Sequence, residues 1–307
     1  MIYFIVNTSS RTGKGKAIWL GARKILRSRN VEYKAFSTKY KGHATEIAEK
    51  ISTLTADEIN LVVVGGDGTV NEVINGIKDF DKVRFGVIPT GSGNDFARGL
   101  GLKGNTEYFV NRIIDSVATD NIDLGRVSWN GCEAPRYFVI SAGIGMDAIV
   151  CKKALTSKLK KVLNKIHLGK LTYLLLTIQT LFSMETARVK ARFEGEHAKN
   201  FEKLIFAASM NFRAEGGGVP MAPKADARDG SLSMCFAHGI PRWQTFFVLP
   251  FLVLAKHEKM SCFYIKECRD CHIMLDRPVV LHADGEYLGD VTEVKIECLS
   301  GKLRLMI

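Results

Sequence analysis

The chain reads as two domains, an α/β doubly wound domain followed by a mainly antiparallel β-sandwich. Three observations predict this. Residues 1–126 alternate short β-branched runs with amphipathic helical stretches, the order that builds a parallel sheet. Beyond Asp123-Leu124-Gly125 the alternation stops, and short strand-like runs follow one another with turn signals between them. At 307 residues each half is long enough to bury its own core. The boundary falls at 126/127, with the last strand allowed to pack back on the first domain.

In the first domain, residues 2–7 predict a strand, 13–28 a helix, 31–37 a strand and 43–53 a helix. Residues 61–64 are uniformly apolar and β-branched-rich, which predicts a buried strand. A helix over 70–78, a strand over 85–88 and a short helix over 96–99 follow. The second domain predicts strands over 136–141, 187–193, 204–209, 232–237, 260–265, 272–275 and 293–299. Two helical pieces interrupt them, about residues 148–184 and 241–257. The apolar run 246–255, with Pro250 inside it, is expected to be a buried kinked helix. Trp19, Trp129 and Trp243 are expected to be packing residues.

Composition narrows the function. The chain is 46% hydrophobic and 24% charged, as in globular proteins rather than disordered ones. Its 43 basic and 32 acidic residues give +11, which favours phosphates or an anionic surface. Nucleic acid is disfavoured, because no aromatic platform interleaves the charges. Residues 1–7 lack a basic signal region and already read as a strand. With seven cysteines, an odd number, this points to reduced thiols in a cytoplasmic protein. Cys268 and Cys271 form a lone CxxC followed by His272, one ligand short of a closed zinc site.

The chemistry concentrates where strands end. Gly65-Gly66-Asp67-Gly68-Thr69-Val70-Asn71-Glu72 follows a buried strand and opens a helix, with Thr69 and Glu72 at capping-box spacing. Glycines permit close approaches, and a helix N-terminus suits phosphate. Asp67 inside the turn offers a carboxylate for the magnesium that accompanies nucleotides. Pro89-Thr90-Gly91-Ser92-Gly93-Asn94-Asp95-Phe96-Ala97 repeats this logic after the next strand. Asn7-Thr8-Ser9-Ser10-Arg11-Thr12-Gly13-Lys14 follows the first strand and opens a basic helix, although it lacks Walker A spacing. Asp284-Gly285-Glu286 lies between two strand-like runs, where a plain hairpin turn is the simplest reading.

These motifs together resemble the catalytic domain of diacylglycerol kinases and the bacterial lipid kinases related to sphingosine kinases. Ala142-Gly143-Ile144-Gly145-x-Asp147-Ala148, residues 216–221 with Pro223, and Asp229-Gly230 extend the resemblance over essentially the whole chain. The Gly-Gly-Asp-Gly-Thr turn is shared with NAD kinases and phosphofructokinases; the PTGSGNDFA and AGIGxDA elements favour lipid kinases. The resemblance implies ATP contacts at Asn7, Ser9, Ser10, Thr38, Gly66, Asp67, Gly68, Thr69, Val70, Asn71, Glu72 and Ser92. It implies a Mg2+-linked network of Asp67, Asp95 and Asp123, and a further metal site at Asp226, Asp229 and Ser231. The usual early Asn-Pro pair is Asn7-Thr8 here, with Arg11-Thr12 inserted. The resemblance makes Glu286 the base that takes the acceptor's proton, with Asp284 the alternative, on a turn facing the glycine loops across a cleft.

The implied activity is ATP- and Mg2+-dependent transfer to a lipid hydroxyl, diacylglycerol by default. A soluble NAD-kinase type and a non-catalytic nucleotide- or lipid-binding regulator are the competing readings. Residues 148–184 hold no acidic residue but include Lys152, Lys153, Lys158, Lys160, Lys161, Lys165 and Lys170. Leu155, Leu159, Val162, Leu163 and Ile166 recur among them at helical spacing, which reads as a contact with an anionic membrane surface. The expected location is cytoplasmic and peripheral at the inner membrane surface, and a homodimer is compatible with the chain.

Overall fold

A computed structural model describes residues 1–91, 93–156 and 169–306. The chain divides into two compact units, one of residues 1–124 with 300–307 and one of residues 125–299.

The first unit is a parallel sheet wrapped by helices. Its strands are β1 (Ile2–Val6), β2 (Tyr33–Ser37), β3 (Ile59–Gly65) and β4 (Val83–Pro89). They lie in the order β4-β3-β1-β2, all parallel. The helices are α1 (Lys14–Ser28), α2 (His43–Ser52), α3 (Asp67–Ile74), α4 (Asp95–Gly99) and α5 (Thr106–Ile114). Leu61 to Val64 are all buried because helices cover both sheet faces, so the strand reads as a continuous apolar run without alternation. Trp19, Ala22 and Leu26 of α1 pack with Phe109, Val110 and Ile113 of α5 over Phe4, Val6, Val62 and Val64. On this topology the carboxyl ends of β1, β3 and β4 are neighbours, which brings their three following loops together.

The second unit is antiparallel. It contains β5 (Thr119–Trp129), β6 (Arg136–Phe138), β7 (Ser141–Gly145), β8 (Ala187–Phe193), β9 (Lys199–Leu204), β10 (Phe206–Met210) and β11 (Leu232–Ala237). β12 (Phe263–Cys268), β13 (Asp270–Ala283) and β14 (Glu286–Met306) complete it; the end of β14 from residue 300 belongs to the first unit, where Arg304 and Leu305 pair in parallel with β4. The strand order β12-β11-β10-β7-β13-β14 is antiparallel throughout. Along the edge away from β14, β13 serves two neighbours: Cys271 to Leu275 pair with β8, and Leu281 to Ala283 pair with β7. A register shift between Met274 and Val279 separates these stretches, the irregularity by which a strand changes partners.

The main core of this unit holds Phe138, Phe193, Phe201, Phe236, Leu281 and Val294. A second core packs the other side of β10 and β11 against three helices, α6 (Met146–Thr156), α7 (Gly169–Ser183) and α8 (Thr245–Val253). The long 148–184 segment is therefore two helices among the described residues. Leu159, Val162, Leu163, Ile166, Lys158, Lys160, Lys161 and Lys165, expected on a membrane-facing helix, lie outside the described residues.

One expectation is overturned. The 246–255 run is not buried: α8 runs through Pro250, and only Thr245, Val248 and Leu252 of its side chains are buried. An all-apolar run carries no periodicity, so sequence could not reveal that a single stripe meets the core. Trp243 is likewise exposed rather than packed, whereas Trp19 is buried and Trp129 packs against the main core.

Candidate active site

The three loops of the first unit are fastened to one another by their own side chains. Asn7 Nδ2 donates to Thr69 Oγ1 at 3.0 Å, joining the first loop to the glycine turn. Ser9 N donates to Asn7 Oδ1, and Ser10 Oγ donates to Asn7 O while sharing a 2.6 Å hydrogen bond with Thr90 Oγ1. Two glycines make the closest approach. A Cβ on Gly66 would stand 3.1 Å from the Gly91 Cα, so neither turn tolerates a larger residue without moving backbone.

Around this knot, α1 and α3 begin at Gly13 and Gly66 without a side-chain cap. Their first N–H groups are the kind of donors that bind phosphate oxygens. The expected capping box does not form. Gly66 is the N-cap, Thr69 lies inside the helix, and Glu72 Oε2 instead accepts from Ala44 N at the start of α2. A glycine N-cap leaves Thr69 free to meet Asn7, which is why the sequence spacing misled. Val70 and Asn71 are buried, so a ligand would reach them through backbone atoms. Gly68 is exposed, and Thr38 sits at the end of β2 with its N–H on Val6 O. Ser92 lies outside the described residues.

The acidic residues of this unit turn out to be loop anchors as well. Asp67 Oδ2 accepts from Asp95 N and Oδ1 from Phe96 N, both at 3.1 Å, so this carboxylate caps α4. Burial raises the Asp67 pKa, and the Phe96 amide and Arg98 charge oppose that rise. Asp95 pairs with Arg98, and a Cβ on Gly93 would meet Asp67 Oδ2 at 3.3 Å and Asp95 Oδ2 at 3.5 Å. Asp123 is buried and accepts from Gly301 N at 2.7 Å. Among the described residues these three do not gather within the spacing of a shared ion. A magnesium held by them would be reached through water.

In the second unit, Asp284 and Gly285 have φ of 47° and 81° and connect paired Ala283 and Glu286, a two-residue hairpin with both turn residues left-handed. The Asp284 carboxylate accepts from Val139 N (3.0 Å), Ile140 N (2.8 Å) and Ser141 N (3.1 Å). It is thereby a fastener of β7 to the turn. Glu286 is half-buried at the head of β14. Asp226, Asp229 and Ser231 lie together in the turn before β11. Asp226 accepts from Arg228 N, while Asp229 Oδ1 accepts both Ser231 N and Ser231 Oγ, the local bonding of a turn.

Beneath the hairpin lies a buried polar cluster that sequence reading did not assign. His282 Nε2 lies 3.2 Å from Asp147 Oδ2, its Nδ1 lies 3.2 Å from Gly285 N, and Glu215 contacts Ser141 Oγ. Ligand atoms of Asp147, Glu215 and His282 lie within 4.8 Å of one another, a spacing that would suit a divalent ion. Burial disfavours a charged imidazole, but the Asp147 bond and the charges of Asp147, Glu215 and Asp284 outweigh it and lift His282 to about 9. Burial in turn raises Glu215. The Gly285 amide donates to Nδ1 and so opposes a proton there, against the pull of the Asp147 carboxylate on Nε2. Gly143 makes the room: a Cβ there would stand 2.0 Å from Asp147 Oδ2 and 2.9 Å from His282 Nε2. The available signal was Gly143 and Asp147 within one motif, and His282 two residues before Asp284.

The thiols of the CxxC are held in the protonated form. Burial pushes Cys268 up to about 12 and Cys271 higher still, as for thiols in apolar surroundings.

Residues 1–127 match the family described as the diacylglycerol kinase catalytic domain. Residues 139–307 match the YegS C-terminal NAD kinase beta sandwich-like domain. The chain is 30% identical to a Bacillus subtilis protein named "Putative lipid kinase YtlR", over 94% of this chain and 93% of that one. It is 28% identical to the Bacillus subtilis diacylglycerol kinase, over 84% and 80% of the two. In fold it resembles a crystal structure of a diacylglycerol kinase from Bacillus anthracis, with a TM-score of 0.70, 20% identity and coverage of 99% and 96%. An Archaeoglobus fulgidus NAD kinase in complex with ATP shares the fold at a TM-score of 0.53 and 14% identity, with 100% and 94% covered.

Proposed function

The chain belongs to the diacylglycerol kinase catalytic-domain family of lipid kinases, and from that premise we propose that it transfers the γ-phosphate of ATP, with Mg2+, to a lipid hydroxyl. Diacylglycerol is the acceptor that fits its named relatives. One observation carries the nucleotide half of this reading: two uncapped helix N-termini and the Asp67 carboxylate meet at three loops that fasten one another. Such a site supplies donors for phosphate oxygens and a carboxylate for a water-shelled magnesium. Phosphoryl transfer asks mainly for positioning and charge neutralisation, so backbone donors plus a metal supply most of what it needs.

Of the two carboxylates on the hairpin, we assign the base to Glu286. The Asp284 oxygens are spent on three amides, which leaves Glu286 as the hairpin carboxylate that the resemblance names for this role. A base must reach the acceptor hydroxyl at hydrogen-bond distance, which an anchored carboxylate cannot do without releasing its strand. No described helix is long and apolar enough to cross a membrane.

The test is an incubation of the purified protein with labelled ATP, magnesium, a mixed lipid extract and NAD, with products identified by mass spectrometry. A labelled phospholipid is expected. Labelled NADP without labelled lipid would replace the proposal with a soluble nucleotide kinase, and ATP binding without turnover would make the chain a regulator.

A further inference from the structure

The helix α8 and the short turn before it present an apolar surface that no described residue of the second unit covers. Trp243 is 56% exposed, Phe247 69%, Phe251 46% and Leu254 63%. Their spacing of four, four and three residues places them on one helical stripe. Trp243 and Phe247 meet edge to face with ring centroids 6.2 Å apart. The neighbouring Phe182, near the end of α7, is 66% exposed and its ring lies 5.3 Å from that of Phe246. Arg242 fixes this junction by donating to Met184 O. Four large rings about half to two-thirds exposed amount to roughly 500 Å² of apolar surface, the size of the largest patches on soluble monomers, which are often functional.

Charge decides what covers it. No acidic residue occurs between Asp229 and Glu258, while Arg242 precedes the helix and Lys256 and Lys259 follow it, all three exposed. Glu258, the first acid after the stripe, is paired with Lys224 at 3.2 Å. Phe182 on the adjoining α7 belongs to the acid-free segment 148–184, so two acid-free stretches of the chain meet at this surface. Aromatic and leucine side chains on one stripe, with cations at both ends and no acid among them, match the chemistry of an anionic bilayer interface. A second copy of this chain would instead set like charges against like.

We propose that α8, with Trp243 and Phe182, is the element that inserts into an anionic membrane surface. The stripe enters the headgroup boundary while Arg242, Lys256 and Lys259 lie against lipid phosphates. This extends the lipid-kinase reading, because it names where the protein sits on the bilayer holding its acceptor. Binding is read here without ATP, so failure of the surface and failure of the kinase assignment are separable.

The experiment uses the full chain and vesicles of phosphatidylglycerol with phosphatidylcholine. Trp243 is a native reporter, since Trp19 is buried and Trp129 is partly packed in the core. Vesicles should shift its emission to the blue, lipid-attached quenchers should reach it, and Trp243→Phe should abolish both signals. Phe247→Ser with Phe251→Ser, at exposed positions, should weaken vesicle binding about tenfold or more through lost apolar burial. Lys256→Glu should weaken it about tenfold and only on anionic vesicles. Binding that leaves Trp243 open to aqueous quenchers, or the absence of vesicle binding, would overturn the proposal. So would a dimer in sedimentation that the Phe247→Ser, Phe251→Ser variant converts to monomer, since the stripe would then be a subunit interface.

Discussion

The first unit's glycine loops and the second unit's hairpin are built by opposite means. In the first, loops that follow neighbouring parallel strands are joined where they emerge: Gly66 and Gly91 allow the close approach, and Asn7, Ser10 and Asp67 bind from one loop to the next. In the second, the structure comes from distant side chains. Asp284 reaches residues 139–141, His282 reaches Asp147, and Glu215 reaches Ser141. The difference teaches that a carboxylate in a motif is as often a backbone fastener as a reactive group. Hydrogen-bond partners, rather than residue type, separate the two roles.

The largest effect that would sharpen this comparison comes from Glu286→Gln. Loss of a general base should lower the transfer rate about 10²- to 10⁴-fold, with the denaturant midpoint unchanged. Asp67→Ala should also abolish transfer, and because Asp67 caps α4 it should in addition cost about 0.5–2 kcal/mol of stability. Full activity in either purified variant would break the site assignment.

Asp284→Asn should reverse the pattern seen for Glu286. An amide cannot accept all three N–H groups without turning its own donor toward them, so stability should fall by about 1–3 kcal/mol in chemical denaturation. A variant as stable as wild type, with transfer lost, would make Asp284 the base and Glu286 the bystander.

The smallest effect is a pH dependence. His282 is raised in the fold to about 9, above the usual imidazole value of about 6.5, so its charged form stabilises the fold. That contribution is fully present below about pH 6.5 and is lost as pH rises through about 9. The stability difference between wild type and His282→Gln should therefore shrink over that window. A difference independent of pH would mean that the Gly285 amide keeps the ring neutral.

Much of the fold was legible because its signals are local. Parallel strands buried on both faces announce themselves as continuous apolar runs, and the glycine turns between strand and helix mark where ligands gather. The cluster of Asp147, Glu215 and His282 was not legible, since it depends on the start of α6, β13 and the loop before β11 being brought together by the pairing of β7 with β13. Thr69 and Glu72 misled because two residues at the right spacing found other partners, Asn7 and Ala44. The exposed stripe of α8 stayed hidden because uniform hydrophobicity does not say which side faces the core.

The most direct measurement is the movement of label from γ-labelled ATP into chloroform-soluble product, with diacylglycerol vesicles and magnesium, for wild type and Glu286→Gln side by side. The account predicts labelled phosphatidic acid from wild type and about 10²-fold less or lower from the variant, at equal folded protein. Equal label from both proteins would contradict the role of Glu286, and no labelled lipid from wild type with any lipid extract would contradict the kinase assignment itself.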